Sequence, residues 1–313
     1  MRIAVMGTGG VGGYFGAKLA RAGNDVTFIA RGAHLAAIRE HGLRVESAAG
    51  DMVLPNVTAT DDVSSLAPVD VVMFCVKLWD VEEAAARIAP LLAGGGVVIA
   101  FQNGIDSPDV LRRVVGDAQV LGGVAYIAAA ISAPGVIAHT GSMARLRIGA
   151  FDDRLAPRAH AFVDACQAAG IDAELASDIR RAIWEKFVFL AALSGVTALS
   201  RQPVGGIRAD SDLRATFDAA MKEIVALARA RDVALPDDFL PRQLRALDGL
   251  PAEMRSSMQN DLLAGRRLEA PWLCGRVAGL AREAGIAAPV NATIYAGLKP
   301  YVNGASTATE TRQ

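Results

Sequence analysis

The sequence predicts an α/β domain with a doubly wound sheet, followed by an all-helical domain. A short apolar strand, residues 3–6, runs directly into the glycine-rich segment 7–12, and an Ala- and Leu-rich helical run follows at once. The run from Val69 to Val76 is apolar, as a strand buried on both faces of a parallel sheet requires. From about Ser177 onward, apolar residues recur at helical spacing with almost no strand signal.

The chain is long enough for two domains, because its 313 residues can supply a sizeable core to each. We expect the first domain to cover residues 1–176 and the second to cover residues 177–302. Residues 303–313 are rich in Ser, Thr, Gly and Glu and have little to bury, so we expect a disordered tail.

The charge balance excludes several classes of partner. Lys and Arg number 32 and Asp and Glu 33, a formal net charge of -1, which gives neither a nucleic-acid-binding stripe nor a polyacidic tail. The expected partners are a small-molecule substrate and a second copy of the chain, because the apolar helices of the second domain would suit a homodimer interface.

The cysteine, histidine and hydropathy patterns predict a cytoplasmic protein that binds no metal ion and has no membrane-spanning segment. The three cysteines, Cys75, Cys166 and Cys274, are an odd number without a CxxC pair, which favours reduced thiols. The chain starts with a strand rather than a secretory signal, and the longest apolar stretch, residues 187–199, is shorter than the roughly 20 residues of a membrane span. No histidines are spaced i, i+4 like metal ligands; they are His34, His41, His139 and His160.

The glycine-rich segment has the pattern of a dinucleotide-binding Rossmann loop, GxGxxG between a strand and a helix. Gly7 allows the tight turn, Gly9 lets backbone N–H groups approach a pyrophosphate, and Gly12 lets the helix pack closely on the strand. The helix N-terminus adds partial positive charge. The predicted pyrophosphate site consists of Gly7, Thr8, Gly9, Gly10, Val11 and Gly12.

Arg31 indicates which dinucleotide this loop binds. It follows the second predicted strand, residues 25–30, at the place where the adenosine ribose lies in this fold. An acidic residue there would accept hydrogen bonds from the ribose of NAD, whereas a guanidinium suits the 2′-phosphate of NADP. We expect NADPH; the alternative is that Arg31 is a solvated residue at the start of the next helix.

Two further side chains fall at the carboxyl ends of predicted strands, where ligands bind in doubly wound sheets. Lys77 follows the apolar run, and Asn103 follows the next strand, residues 97–101. Lys77 could instead be an ordinary solvated lysine, and Asn103 with Gly104 could be only a turn. Residues 43–60 predict a hairpin that adds to the sheet.

The second domain must supply a proton donor if the bound nucleotide transfers a hydride to a carbonyl. Lys186 is the candidate, because it lies within the apolar helical segment 183–190, where loss of hydration would lower its pKa toward neutrality. Alternatively, Lys186 occupies an exposed stripe and covers apolar surface with its stem. Glu269 is a candidate substrate anchor, or else only a helix-capping residue.

The order of these elements closely resembles the ketopantoate reductases (2-dehydropantoate 2-reductases). The shared features are the GxGxxG loop, Lys77, Asn103-Gly104, a Trp-Glu-Lys helix, and Ser-Ser-Met-x-x-Asp followed eight residues later by Glu269. The resemblance covers nearly the whole chain. It implies a Rossmann domain joined to a helical domain of the 6-phosphogluconate dehydrogenase-like type, and NADPH-dependent reduction of a 2-oxo acid in pantothenate synthesis.

The resemblance also implies roles for individual residues. Lys186 would be the general acid, and Asn103 would orient the lysine and the nicotinamide. Glu269 would bond the substrate hydroxyl and hold Lys186, while Ser257 would help to bind the substrate. Arg31 and Lys77 would contact the phosphate or ribose of NADPH.

The chain departs from the family pattern where many members carry asparagine. Leu190 and Ser194 stand four and eight residues after Lys186, and Val204 occupies a third such position. Each lost amide removes hydrogen bonds worth about 1–3 kcal/mol if a polar group is left unpaired. A pocket with Leu190 and Val204 should favour a substrate with fewer polar groups than ketopantoate.

The sequence therefore predicts an NADPH-dependent reductase that converts ketopantoate to pantoate. One alternative is a reductase of another small, less polar 2-oxo acid or ketone. The other, of a different class, is a non-catalytic NADPH-binding sensor.

Overall fold

The computed structural model describes residues 1–304 of the chain, and the predicted tail lies almost entirely outside them. Two compact units are present within these residues, the first covering residues 1–183 and the second beginning at residue 184. The division between them falls within the helix Ile179–Ser200. Of the tail, only Asn303 and Gly304 are described, and the N–H of Gly304 donates to the carbonyl of Tyr301 at 3.0 Å.

The first unit is built on one ten-stranded sheet. The strands lie in the order β4-β3-β9-β8-β7-β6-β1-β2-β5, and β10 pairs with β9. Their bounds are β1 Arg2–Met6, β2 Asp25–Ile29, β3 Leu43–Ser47, β4 Met52–Leu54, β5 Thr58–Thr60, β6 Val71–Phe74, β7 Val97–Ala100, β8 Val120–Ala133, β9 Val136–Ala150 and β10 Asp172–Leu175.

Five helices accompany this sheet, and all of them except α2 connect two strands that pair in parallel. They are α1 Gly10–Arg21, α2 Gly32–His41, α3 Val81–Ile88, α4 Ser107–Val115 and α5 Ala156–Ala168. Successive side chains of a strand point to opposite faces, so β1 contributes Val5 to one apolar cluster and Ala4 to another. The central strands are therefore buried on both faces, as the apolar run of β6 predicts, and an α/β Rossmann domain is confirmed.

The prediction of one hairpin over residues 43–60 is partly wrong. Strands β3 and β4 do pair antiparallel, with Leu43 opposite Leu54. Strand β5 instead pairs parallel with β2 at the other edge of the sheet, with Thr58 opposite Thr27. The short segment between β4 and β5 therefore leads the chain from one sheet edge to the other, which alternation along the sequence cannot reveal.

The second unit consists of helices, as expected. They are α6 Ile179–Ser200, which begins in the first unit, α7 Val204–Ala209, α8 Ser211–Ala230, α9 Phe239–Gly249, α10 Ser257–Leu263, α11 Cys274–Glu283 and α12 Pro289–Leu298. Helix α6 is long and apolar enough to cross a membrane, but 72% of its most apolar window is buried, as in the core helix of a soluble protein.

A carboxylate from α8 orients the start of α12. Glu223 accepts hydrogen bonds from the backbone N–H groups of Val290, at 2.7 Å, and Asn291, at 2.9 Å. The Asn291 side-chain amide donates to Glu223 at 2.6 Å and to the carbonyl of Ala220 at 3.1 Å. Because the first N–H groups of a helix have no partner within the helix, this bridge both caps α12 and fixes it against α8.

Candidate active site

The glycine loop is tied to the end of β2 by three hydrogen bonds to one carbonyl group. The N–H groups of Gly7 and Thr8 donate to the carbonyl of Ile29 at 3.2 and 3.1 Å, and the Thr8 hydroxyl donates to it at 3.0 Å. Gly7 has a φ of 98°, which favours glycine. The Thr8 side chain is thus buried and shapes the loop, so only the loop backbone is left to contact a phosphate.

The remaining glycines of the loop serve different purposes. A Cβ atom on Gly12 would lie 2.3 Å from the carbonyl oxygen of Gly7, so glycine here allows α1 to pack closely on the strand. A Cβ on Gly10 would lie 2.0 Å from the carbonyl oxygen of Ala129, in β8. A Cβ on Gly9 would have nothing within 4 Å.

The backbone at Gly9 is thus open to an approaching group, next to the N-terminus of α1. The first N–H groups of a helix have no helical partner and carry partial positive charge. These are the properties that a dinucleotide pyrophosphate requires, and Gly10, Val11 and Gly12 supply the N–H groups. The loop therefore fits the pyrophosphate of a dinucleotide.

Arg31 lies two residues after the end of β2, at the N-cap of α2, with 80% of its side chain exposed. Its guanidinium Nη2 lies 2.9 Å from Oδ2 of Asp80. Strands β2 and β6 flank β1, so Arg31 and Asp80 approach each other across the end of β1, beside the glycine loop. The sequence did not predict Asp80, because only the sheet topology brings together two residues 49 positions apart.

Lys77 and Asn103 follow β6 and β7, two strands that pair in parallel register with Phe74 opposite Ala100. The Lys77 side chain is exposed, and its Nζ lies 5.5 Å from the centre of the Trp79 ring. Asn103 is half-buried and precedes Gly104, whose φ of 89° makes the turn. Both residues thus lie at the carboxyl edge of the sheet, as expected.

Lys186 lies in α6 of the helical unit and is half-buried. Burial lowers the pKa of Lys186 to about 8, although the negative charge of Glu269 raises it in part. Glu269 is 7% exposed and precedes a short 3-10 turn, Ala270–Trp272. An ammonium group with this pKa can donate a proton near neutral pH and recover it.

A buried hydroxyl pair fixes the start of α10 against α6. The hydroxyls of Thr197 and Ser256 lie 2.7 Å apart, and Ser256 caps α10 by accepting the N–H of Gln259 at 3.0 Å. The exposed Ser257 begins α10 and is therefore held in place relative to α6. Thr197 was missed, because an isolated hydroxyl residue gives no sequence signal, and the Ser-Ser-Met motif did not reveal the capping role of Ser256.

The three positions that depart from the family pattern have different environments. Leu190 is half-buried, one turn after Lys186. Ser194 is only 1% exposed, and its hydroxyl has no hydrogen-bond partner within residues 1–304. Val204 is fully buried, and its N–H donates to the carbonyl of Met254 at 2.9 Å. The expectation that Val204 lines an open pocket is therefore wrong, since its side chain belongs to the core.

Neither the cysteines nor the histidines of the described residues form a reactive or metal-binding centre. All three cysteines are free, and burial raises the pKa of Cys166 and of Cys274 to about 12. Burial also raises the pKa of Cys75. No three His, Cys, Asp or Glu residues within residues 1–304 are grouped in a way that could hold a metal ion.

Comparison with known proteins places the chain in a family. The family described as Ketopantoate reductase PanE/ApbA matches residues 3–153, and its C-terminal family, Ketopantoate reductase PanE/ApbA C terminal, matches residues 178–302. The chain therefore belongs to the ketopantoate reductase family, as the sequence resemblance indicates. It is a pyridine-nucleotide-dependent oxidoreductase that acts on a CH–OH or C=O group.

Individual relatives cover almost the whole chain. An uncharacterised oxidoreductase of Bacillus subtilis, YkpB, is 30% identical over 96% of this chain and 99% of its own. A 2-dehydropantoate 2-reductase of Halobacterium salinarum is 32% identical over 94% of this chain and 96% of its own. The crystal structure of a PanE/ApbA family ketopantoate reductase from Ralstonia eutropha has a TM-score of 0.88 at 33% identity, covering 96% and 98% of the two chains.

Substitution by alanine should affect nucleotide binding at Gly9, where a methyl group has space, and stability at Gly10, where it has none. Gly9→Ala should leave the free energy of unfolding within about 0.5 kcal/mol of the wild type. It should weaken NADPH binding by about tenfold or more, because the new methyl group occupies the approach of the pyrophosphate. Gly10→Ala should cost about 1–3 kcal/mol of stability, because the methyl group collides with Ala129.

Urea unfolding without nucleotide and calorimetric titration with NADPH measure the two quantities. Each variant serves as the control for the other. Wild-type NADPH affinity in Gly9→Ala would contradict the assignment of the loop as the pyrophosphate site.

Proposed function

We propose that this protein reduces ketopantoate to pantoate with NADPH, and that Lys186 is the general acid. The observation that carries this proposal is the half-buried lysine with a pKa near 8 beside Glu269. Membership of the ketopantoate reductase family supports the choice of substrate.

A nicotinamide held by the first unit would supply the hydride for the C2 carbonyl of the substrate. Negative charge then develops on the carbonyl oxygen, and the Nζ of Lys186 donates a proton to it. Glu269 stabilises the ammonium form of Lys186 before the transfer and accepts a hydrogen bond from the hydroxyl group of the substrate. Ser257, at the exposed start of α10, binds another polar group of the substrate.

The residues of the first unit hold the nucleotide. The backbone of the glycine loop binds the pyrophosphate, and Arg31 and Lys77 supply positive charge for the 2′-phosphate and ribose. Asn103 orients the nicotinamide and Lys186. We also infer that the enzyme acts in the cytoplasm as a homodimer, the inference resting on its reduced cysteines and its apolar helices.

The pH dependence of the reduction tests the role of Lys186. The ammonium form predominates below pH 8, so kcat/KM for ketopantoate reduction should be level there and fall about tenfold per pH unit above it. Because the charge of Glu269 raises the pKa of Lys186, Glu269→Gln should move the break in the profile to lower pH.

Initial rates over a range of pH, with NADPH saturating, give both profiles. Glu185→Gln is the matched control, since Glu185 is the carboxylate next to Lys186 in the sequence. A break that stays in place in Glu269→Gln, or that moves upward, would count against this coupling.

A second candidate function is reduction of another 2-oxo acid that is less polar than ketopantoate. Leu190 favours it, because it places an apolar, partly exposed side chain one helical turn from the proposed acid. The terminal hydroxyl of ketopantoate finds no partner in an isobutyl group, so a branched 2-oxo acid without that hydroxyl would fit Leu190 better.

A rate panel of ketopantoate against branched and aromatic 2-oxo acids decides between these substrates. Leu190→Asn should raise kcat/KM for ketopantoate relative to its analogue without the hydroxyl by about fivefold or more, because the amide adds a hydrogen bond. Leu190→Ala also removes the isobutyl group but adds no amide, and it should leave this ratio unchanged. Equal ratios in the two variants would remove Leu190 from the determinants of substrate choice.

A further inference from the structure

The carboxylate of Asp80 lies beside the proposed 2′-phosphate site, and the proposed reaction does not use it. Asp80 ends the short 3-10 turn Leu78–Asp80 at the start of α3, and its own N–H donates to the carbonyl of Lys77 at 2.9 Å. Its side chain is 25% exposed, against 80% for Arg31, its partner at 2.9 Å. The carboxylate is thus the more confined member of the ion pair, and the guanidinium the more accessible one.

The Asp80 charge opposes the binding of a phosphate at Arg31. A 2′-phosphate that reaches this guanidinium must share it with the carboxylate or displace the carboxylate. Two anions close to one cation also repel each other, and at a largely exposed site the repulsion is weakened but not abolished by solvent. The positive charge that Arg31 offers to NADPH is therefore partly neutralised before the nucleotide arrives.

The same carboxylate suits a nucleotide without the phosphate. The ribose of NADH presents neutral 2′- and 3′-hydroxyl groups, and an acidic side chain is their usual acceptor in this fold. That acid commonly stands after the second strand, where this chain has Arg31. Asp80 reaches the same neighbourhood from the end of β6, on the other side of β1.

We propose that Asp80 is a specificity-determining residue for the nucleotide. It competes with the 2′-phosphate for Arg31 and accepts a hydrogen bond from the 2′-hydroxyl of NADH, so the enzyme binds both nucleotides with comparable affinity. This proposal rests on the proposed function, in that it takes Arg31 to mark the position of the adenosine ribose.

Dissociation constants for NADPH and NADH, measured by calorimetry without substrate, test the proposal. The wild-type constants should lie within about tenfold of each other, since one cation and one anion face the ribose. Asp80→Asn removes the anion and should shift the ratio of the constants about tenfold toward NADPH. Glu83→Gln is the matched control, because it removes an exposed carboxylate of the first turn of α3 and should leave the ratio unchanged.

Comparing Arg31→Ala with Asp80→Asn shows whether a negative result counts against the role of Asp80 or against the proposed nucleotide site itself. Arg31→Ala should weaken NADPH about tenfold or more and NADH little; equal weakening of both, or of neither, would overturn the placement of the ribose. If NADPH binding depends on Arg31 but Asp80→Asn leaves the ratio unchanged, only the role of Asp80 is overturned. A wild-type protein that binds NADPH 100-fold or more tightly than NADH would also overturn only the role of Asp80.

A second substitution guards against a change in folding. Asp80→Ser retains a polar side chain of smaller size, and it should shift the ratio in the same direction as Asp80→Asn. A thermal unfolding curve for each variant confirms that the unit is folded. Opposite shifts in the two folded variants would contradict a role for the negative charge.

Discussion

A lysine ammonium group that loses hydration needs a compensating charge, and Glu269 provides it for Lys186. Burial pulls the pKa of Lys186 down and the carboxylate pulls it back up, with a value of about 8 as the result. Without burial the lysine would hold its proton too firmly, and without the carboxylate it would lose that proton too readily. The proposed chemistry depends on this balance.

Hydrogen bonds among side chains and backbone groups hold the helices of the second unit together. The Thr197–Ser256 hydroxyl pair fixes α10 on α6, and Glu223 fixes α12 on α8. In the first unit the carbonyl of Ile29 has a comparable role, because it anchors the glycine loop to β2. In both units these few hydrogen bonds fix the position of a helix or a loop relative to its neighbour.

The sequence predicts those parts of this structure that depend on local pattern. The glycine loop, the buried strand β6 and helix α6 all carry their signal within a few consecutive residues. Lys77 and Asn103 follow from strand ends, because parallel strands deliver their carboxyl ends to one edge. The family resemblance added Ser257 and the roles of Lys186 and Glu269.

Contacts that depend on the path of the chain could not be predicted in this way. The pairing of β5 with β2, and of Asp80 with Arg31, requires the strand order, which alternation and composition do not encode. Val204 was placed at a pocket by analogy with a family position, whereas its burial depends on how α7 packs. The sequence also could not show why residue 10 is glycine, because the reason is the carbonyl oxygen of Ala129 in β8, which leaves no space for a Cβ atom.

The central claim is that Lys186 donates the proton, and Lys186→Ala tests it most directly. In a single turnover with ketopantoate, the nicotinamide absorbance of bound NADPH should decay about 100-fold or more slowly than in the wild type. The NADPH affinity should be unchanged, and added methylammonium should restore part of the rate by replacing the missing ammonium group. Decay at the wild-type rate in this variant would contradict the account.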